Sequence, residues 1–342
     1  MNVESPRIRT TVVGSYPVPD WLIQCPSEQA LADATRVVLH TQELAGIDLV
    51  CDGELYRFDP NHPETNGMIE YFVRPMAGVA TDIGFDELTR YRAQPGMQFR
   101  SRPPGVVTGP VGAGYLDLPG ACRIARRLTR KPLKFTLTGP HMLAKTLIDR
   151  HYADTPALAL AIADVLAEQV RHVDADVVQV DEANLPGAPE EWQWAADAIN
   201  RVLDAVDGRP AVHLCFGNYG GQSIQKGSWD RLIDYLNALR ADHIVMEVAH
   251  RPPEELAAFR GLRPEIGFGL GAIDIKTTEI ESADRVARAI ERAETLLGEG
   301  RVRYVHPDCG FWMLKRTVAD AKIRALVEGR DLYEGRRSAA AA

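Results

Sequence analysis

Apolar and polar positions along the 342-residue chain fall into short, unbroken apolar runs separated by longer stretches with helical spacing. The runs are TTVVGS (10–15), IDLVCDGE (47–54), KFTLTGP (134–140), DVVQVDE (176–182), PAVHLCFG (210–217), HIVMEVA (243–249), IGFGLGAID (266–274) and VRYVHPDCG (302–310). They are rich in β-branched residues and do not alternate, as expected of strands covered on both faces. Between most of them lie amphipathic helical patterns, at 27–45, 156–173, 189–206, 228–240, 253–260, 281–297 and 312–328. Eight strand candidates alternating with helices predict an α/β chain folded as a closed (β/α)8 TIM barrel. An open doubly wound sheet is the alternative, but no G-x-G-x-x-G opens a helix, and the spaced glycines of GFGLGAID sit inside a strand.

One stretch breaks the rhythm. From about residue 55 to 133 the chain is rich in proline and glycine, with FDPNHPETNG, RSRPPG and GPVGAG. A segment this long is usually functional or separately ordered. It reads as an insertion after the second strand that helps cover a substrate. Residues 1–335 are then a single barrel with that insertion, and 336–342 a tail ending in SAAAA.

Composition adds mainly exclusions. The formal charge of −8 argues against a nucleic-acid partner. No apolar run approaches the ~18 residues that span a bilayer. MNVESPRIRTT has no signal-peptide core, so a cytoplasmic protein is expected. Five scattered cysteines are too few for a disulfide framework in so large a chain, leaving thiols, metal ligands or catalysts. There is no H-E-x-x-H, P-loop or nucleophile elbow, so proteolysis, nucleotide hydrolysis and serine esterase chemistry rank low.

The chemistry lies at the strand ends. Each run turns polar or reactive at its last residues: Ser15, Glu54, Thr138, Asp181, Cys215, Glu247, Asp274 and Cys309. In a parallel barrel all these ends open on one rim, where active sites sit. His213 and Cys215 are two apart on one strand and share a face. With Glu247 and Cys309 from later strands they offer one nitrogen, two sulfurs and one oxygen, a set suited to Zn²⁺. The rival reading is that each cysteine is a small buried hydrophobe. A zinc with sulfur ligands can bind and deprotonate a substrate thiol, and the thiolate is the nucleophile. Glu247 would be the exchangeable ligand. Of the adjacent Asp181 and Glu182 only one can face the pocket. Lys276 is either an acid or an ion-pair partner of Asp274. His306 suits support of the metal shell better than ligation. Tyr219, Trp229 and Trp312 are pocket-lining or core aromatics. Cys25, Cys51 and Cys122 read as ordinary thiols.

At these residues the chain resembles the catalytic barrel of the cobalamin-independent methionine synthase family, whose barrel is of the uroporphyrinogen decarboxylase/methionine synthase type. The resemblance rests on TTVVGSYP, DGELYR followed by NGMIEYF, LTGPHML, QVDEANL, HLCFGN, Glu247 and HPDCG, in that order. It implies one zinc per chain on His213, Cys215, Glu247 and Cys309. It implies that Glu54 and Asp181 bind the amino group of homocysteine, and that Val13, Gly14 and Ser15 bind its carboxylate. The implied reaction is methyl transfer to a zinc-bound homocysteine thiolate, giving methionine, with Asp181, Asp274 and Lys276 as candidate catalytic residues. His141, after TGP, either contacts the methyl donor or is a satisfied structural histidine.

The chain also departs from the folate-using members. It lacks their second barrel, the TGP segment does not continue into a tryptophan, and Lys276 stands where their seventh-strand motif has a histidine. These features resemble the short single-barrel "core" members. The methyl donor, a methylcorrinoid or a methylated folate, free or protein-bound, is left open. Two alternatives stand beside this reading: zinc-dependent alkylation of another thiol, such as epoxide opening, and a metal-free barrel that is non-catalytic or decarboxylase-like.

Overall fold

The computed structural model describes residues 7–59, 62, 65–93, 102–218 and 222–336. Eleven strands occur among them. They are β1 (Arg9–Thr10), β2 (Val50–Cys51), β3 (Ala77–Ala80), β4 (Val106–Gly112), β5 (Leu133–Thr138) and β6 (Ile148–Asp149), then β7 (Val177–Glu182), β8 (Arg209–Leu214), β9 (His243–Met246), β10 (Gly267–Ile273) and β11 (Val302–Pro307). Eight of them form one parallel sheet in the order β1-β11-β10-β9-β8-β7-β5-β2. A parallel bridge between Thr11 and Leu49 joins its two ends, closing the (β/α)8 barrel. Each of the eight apolar runs contributes one barrel strand.

Burial explains why these runs look unbroken. β5, β7 and β10 are buried at every position, because one face meets the barrel interior and the other meets helices. The glycines of GFGLGAID clear space inside the barrel. A Cβ on Gly271 would stand 2.1 Å from Asp308 Oδ1.

Most of the helical patterns form as expected. Glu28–Ala45 starts where Ser27 accepts the Ala30 N–H at 3.0 Å and stops at Gly46 with φ of 87°. Ala283–Leu297 is capped in the same way by Ser282. The pattern at 253–260 forms a 3-10 helix, Pro253–Gly261. The short helix Pro140–Thr146 was hidden in the sequence, since two turns show no clear periodicity. Among the described residues no helix is long and apolar enough to cross a membrane.

The inserted stretch has its own secondary structure. β3 pairs antiparallel with β4, and β4 pairs parallel with β6, which follows β5 in the chain. The helices Glu70–Val73, Phe85–Arg92 and Leu118–Arg126 belong to the same stretch.

A polar column rises inside the barrel, because i, i+2 positions on a strand share a face. At the bottom Leu49, Val177, Ala211 and Tyr304 form a small apolar cluster. Above it Lys134 is fully buried, donating to the Val12 carbonyl and, at 2.8 Å, to Gln179 Oε1. Gln179 Nε2 then donates to Val13 O at 3.0 Å and to Asp181 Oδ1 at 2.7 Å. This chain of hydrogen bonds ties the floor of the barrel to the groups at its rim.

Candidate metal and substrate site

β7 and β8 set the site. Their register places Asp181 opposite His213. His213 Nδ1 lies 2.8 Å from the Val245 carbonyl. A carbonyl only accepts, so Nδ1 carries the proton and Nε2 keeps its lone pair. That Nε2 is buried and, among the described residues, has no hydrogen-bond partner. The chain leaves β8 through Leu214 to Cys215, and Cys309 follows the end of β11. One ligand atom each from His213, Cys215 and Cys309 lies within 4.8 Å of the others. The two sulfurs are 3.9 Å apart. Two thiolates on one tetrahedral zinc, at ~2.3 Å each, stand about 3.8 Å from one another. The hydrogen bond with Cys215 holds the Cys309 thiol well below its usual range despite burial, with His213 helping, while Cys215 is pushed up. An unpartnered imidazole nitrogen gathered with two cysteine sulfurs 3.9 Å apart therefore fits a zinc ion.

Glu247, the fourth expected ligand, is not among the three mutually close ligand residues. It is fully buried, Lys276 Nζ donates to its Oε1 at 2.9 Å, and the Phe216 N–H donates to its Oε2 at 2.9 Å. Lys276 is thus an ion-pair partner, but of Glu247. Asp274 meets Lys276 only through the backbone: its Oδ1 accepts the Lys276 N–H at 2.8 Å, while its Oδ2 faces His250 Nδ1 at 3.0 Å.

A cavity of about 110 Å³ adjoins the cluster, lined by Val13, Ser15, Glu54, Asp181, His213, Cys215 and Cys309. Its other walls include Asn66, Met68, Met142, Ile224 and Trp312, of which Asn66 and Met68 come from the inserted stretch. Glu54 is reached through a left-handed turn: Gly53 and Glu54 have φ of 80° and 59°. Positive φ is rare for a side chain like glutamate and marks a held conformation. Asp52 Oδ1 accepts the Glu54 N–H at 2.9 Å and fixes the turn. Gly14 makes room for the carboxylate, since a Cβ there would stand 2.1 Å from Glu54 Oε1. Glu54 is not free: Thr136 Oγ1 donates to its Oε1 at 2.5 Å and Arg57 Nη1 lies 3.1 Å from its Oε2. Asp181 has no ion pair among the described residues. Burial pushes its carboxyl up to about 7, with the Glu54 charge adding to the effect against His213, Gln179 and Arg57.

Sequence reasoning missed Arg57, Thr136, Gln179 and Lys134. Only Lys134 left a local signal, a charge inside an apolar run. Trp229 is core, fully buried and donating from Nε1 to Glu247 O at 3.0 Å. His306 faces the Pro307 carbonyl through Nδ1 at 2.7 Å and makes no hydrogen bond to the three clustered side chains among the described residues. Tyr219 lies outside the described residues.

The donor-side reading of His141 needs correction. Its ring is 1% exposed, with Nδ1 at 3.1 Å from Glu182 Oε1 and Nε2 at 2.8 Å from Glu191 Oε2. Glu182 points away from Asp181, as neighbours on a strand must, and carries His141 with it. Both ring nitrogens are occupied, so neither is offered to a methyl donor. Burial alone would lower the imidazole pKa, but the two carboxylates outweigh it and raise it to about 9. An unfolded histidine titrates near ~6.5. The folded state therefore binds the proton more tightly, and this stabilisation is complete below about pH 6.5 and lost as pH rises through about 9. His141→Gln is expected to be less stable than the unmodified chain at about pH 6, with the gap narrowing towards about pH 10. Urea unfolding across that range checks this, and a gap that widens with pH contradicts it.

The fold and site define a (β/α)8 barrel enzyme with a sulfur-rich centre at its C-terminal rim. The family model described as "Cobalamin-independent synthase, Catalytic domain" matches residues 8–330, and the chain belongs to the cobalamin-independent methionine synthase family, by which it is a methyltransferase. A methionine synthase from Thermococcus kodakarensis is 28% identical, over 96% of this chain and 94% of its own length. A 2-hydroxypropyl-CoM lyase from Xanthobacter autotrophicus is also 28% identical, with 95% of each chain covered. A B12-independent methionine synthase from Shewanella sp. W3-18-1, solved in complex with selenomethionine, superposes with a TM-score of 0.78. It is 26% identical and covers 96% of this chain and 98% of its own.

Proposed function

We propose that this enzyme transfers a methyl group to the thiol of homocysteine, giving methionine, with one zinc held by His213, Cys215 and Cys309. The observation that carries the reading is the orphaned His213 Nε2 gathered with two cysteine sulfurs beside a cavity. When bound, zinc supplies the Lewis acidity that ionises a substrate thiol at neutral pH. The chain's own residues bind and align the acceptor. Asp181, with Glu54 beside it, receives the ammonium, while the Ser15 hydroxyl and the Val13–Ser15 backbone receive the carboxylate. Met68, Met142 and Ile224 line the same cavity and keep water from the reacting sulfur. Held in this way, the thiol is aligned with the methyl carbon. A cytoplasmic location and a small-molecule acceptor without nucleic acid are part of the same reading. The bound selenomethionine of the Shewanella relative supports an amino-acid acceptor.

The deciding experiment is turnover on metal-analysed protein, offered homocysteine with methylcobalamin and with a methylated folate in parallel. Exhaustive chelation is expected to abolish turnover and zinc to restore it; an apoprotein that works normally rejects the proposal. A charge-assisted hydrogen bond is worth about 1.5–3 kcal/mol, so Asp181→Asn should lower kcat/KM for homocysteine by about 10- to 100-fold. The similarity to 2-hydroxypropyl-CoM lyase favours one second reading, alkylation of a different thiol. Unchanged homocysteine kinetics in Asp181→Asn and Glu54→Gln would support it.

A further inference from the structure

Lys134, the second residue of β5, is 0% exposed. A buried ammonium ordinarily sits against a carboxylate. This one meets neutral oxygens instead: the Val12 carbonyl and, at 2.8 Å, Gln179 Oε1. An ammonium only donates, so Gln179 must turn its carbonyl oxygen towards it. The amide nitrogen then faces the rim, where it donates to Val13 O at 3.0 Å and to Asp181 Oδ1 at 2.7 Å. Without the ammonium the amide would be free to turn over and set an oxygen against the Asp181 carboxylate. The counter-charge of Lys134 is thus Asp181, one amide away. Asp181 lines the cavity, as do Val13 and Ser15.

We propose that Lys134 is a positioning residue for substrate recognition: by fixing the Gln179 amide it holds Asp181 and the segment after β1 in place for a thiol that carries both an ammonium and a carboxylate. This rests on the reading of Asp181 and the Val13–Ser15 backbone as the groups that hold the acceptor. One buried charge then serves both ends of the substrate. At one end Gln179 takes Oδ1 of Asp181 and leaves Oδ2 to the ammonium. At the other, Lys134 and Gln179 hold the consecutive carbonyls of Val12 and Val13. In a planar trans peptide the N–H points opposite to the C=O, so pinning the Val13 carbonyl also sets the direction of the Gly14 N–H. A thiol without the two charged groups gains nothing from this arrangement. The same residue therefore sets selectivity for amino-acid thiols.

The test measures, by calorimetry on the full zinc-loaded chain, the binding of homocysteine and of 1-propanethiol, which has neither charged group. Lys134→Met is expected to weaken homocysteine binding by about 10-fold or more and 1-propanethiol binding by less than about 3-fold. Gln179→Met should do the same. Because both act through one amide, the double variant should lose no more than about 3-fold beyond the worse single variant, whereas separate effects would multiply. A purely structural role for Lys134 would weaken both thiols alike. Equal losses for the two thiols, multiplied losses in the double variant, or a Lys134→Met chain that binds homocysteine as tightly as the original each overturn the proposal. Asp181→Asn separates the proposal from the function on which it rests. If it weakens homocysteine binding while Lys134→Met does not, only the positioning role falls; if neither does, the assigned acceptor site falls with it. Should the substitutions prevent folding, a crystal structure of the unmodified chain with homocysteine decides. Lys134, Gln179 and Asp181 in unbroken hydrogen-bonded contact beneath the substrate ammonium support the proposal. Gln179 parted from Asp181, or an ammonium bound away from Asp181, overturns it.

Discussion

Cys309→Ala is expected to purify as a folded protein with far less than one zinc per chain and with methyl transfer down by more than about 100-fold. Changing partners that merely orient metal ligands costs about 10- to 100-fold, and Cys309 offers its own sulfur to the centre. It is also the thiol whose pKa is held lowest, through its hydrogen bond with Cys215 and the nearby His213. Removing it leaves His213 Nε2 and Cys215 as a two-residue remnant, which is too few for a tetrahedral site that keeps one position for substrate. The fold should tolerate the change, because Cys309 lies beyond the end of β11 and is only partly buried. Metal analysis and circular dichroism on the same sample separate loss of zinc from loss of structure. A Cys309→Ala protein that retains stoichiometric zinc and normal turnover would falsify the assignment of this sulfur.

Arg57→Met is expected to produce the largest loss of stability, about 3–5 kcal/mol, because it strands a buried carboxylate. The side chains of Arg57 and Glu54 are 2% and 6% exposed, so water cannot take over the pairing. Arg57 Nη2 also donates to Thr136 at both its carbonyl and its hydroxyl, and the guanidinium lies 5.0 Å from the centroid of the Phe72 ring. The substitution therefore disconnects Glu54 and β5 from the inserted stretch at once. Pairing Arg57→Met with Glu54→Gln should recover part of the loss, since no uncompensated charge then remains. Urea unfolding of the single and double variants measures this. An Arg57→Met chain within about 0.5 kcal/mol of the original would show that the pair is a surface-like contact despite its burial.

The fold could be read from the chain because its signal is local and repeated. A strand buried on both faces must be continuously apolar, and a helix packed outside it must show one apolar stripe. The inserted stretch was visible as a departure from that rhythm, but its small sheet was not. Two-residue strands such as β6 have no measurable period, and the pairing of β4 with a segment beyond β5 is a long-range event.

The site divides in the same way. The sequence by itself determined which residue types stand at the strand ends, and hence that His213, Cys215, Cys309, Asp181 and Glu54 converge on one rim. That follows from strand direction and the two-residue period alone. Only the tertiary structure decided what each charged group meets there. Glu247 went to Lys276, and His141 to Glu182 on the far face of β7 and to Glu191 beyond it. These pairings depend on the register between strands and on side chains arriving from distant segments, where the low-dielectric interior makes each buried charge find a partner. No pattern within a short window of sequence encodes which partner that is.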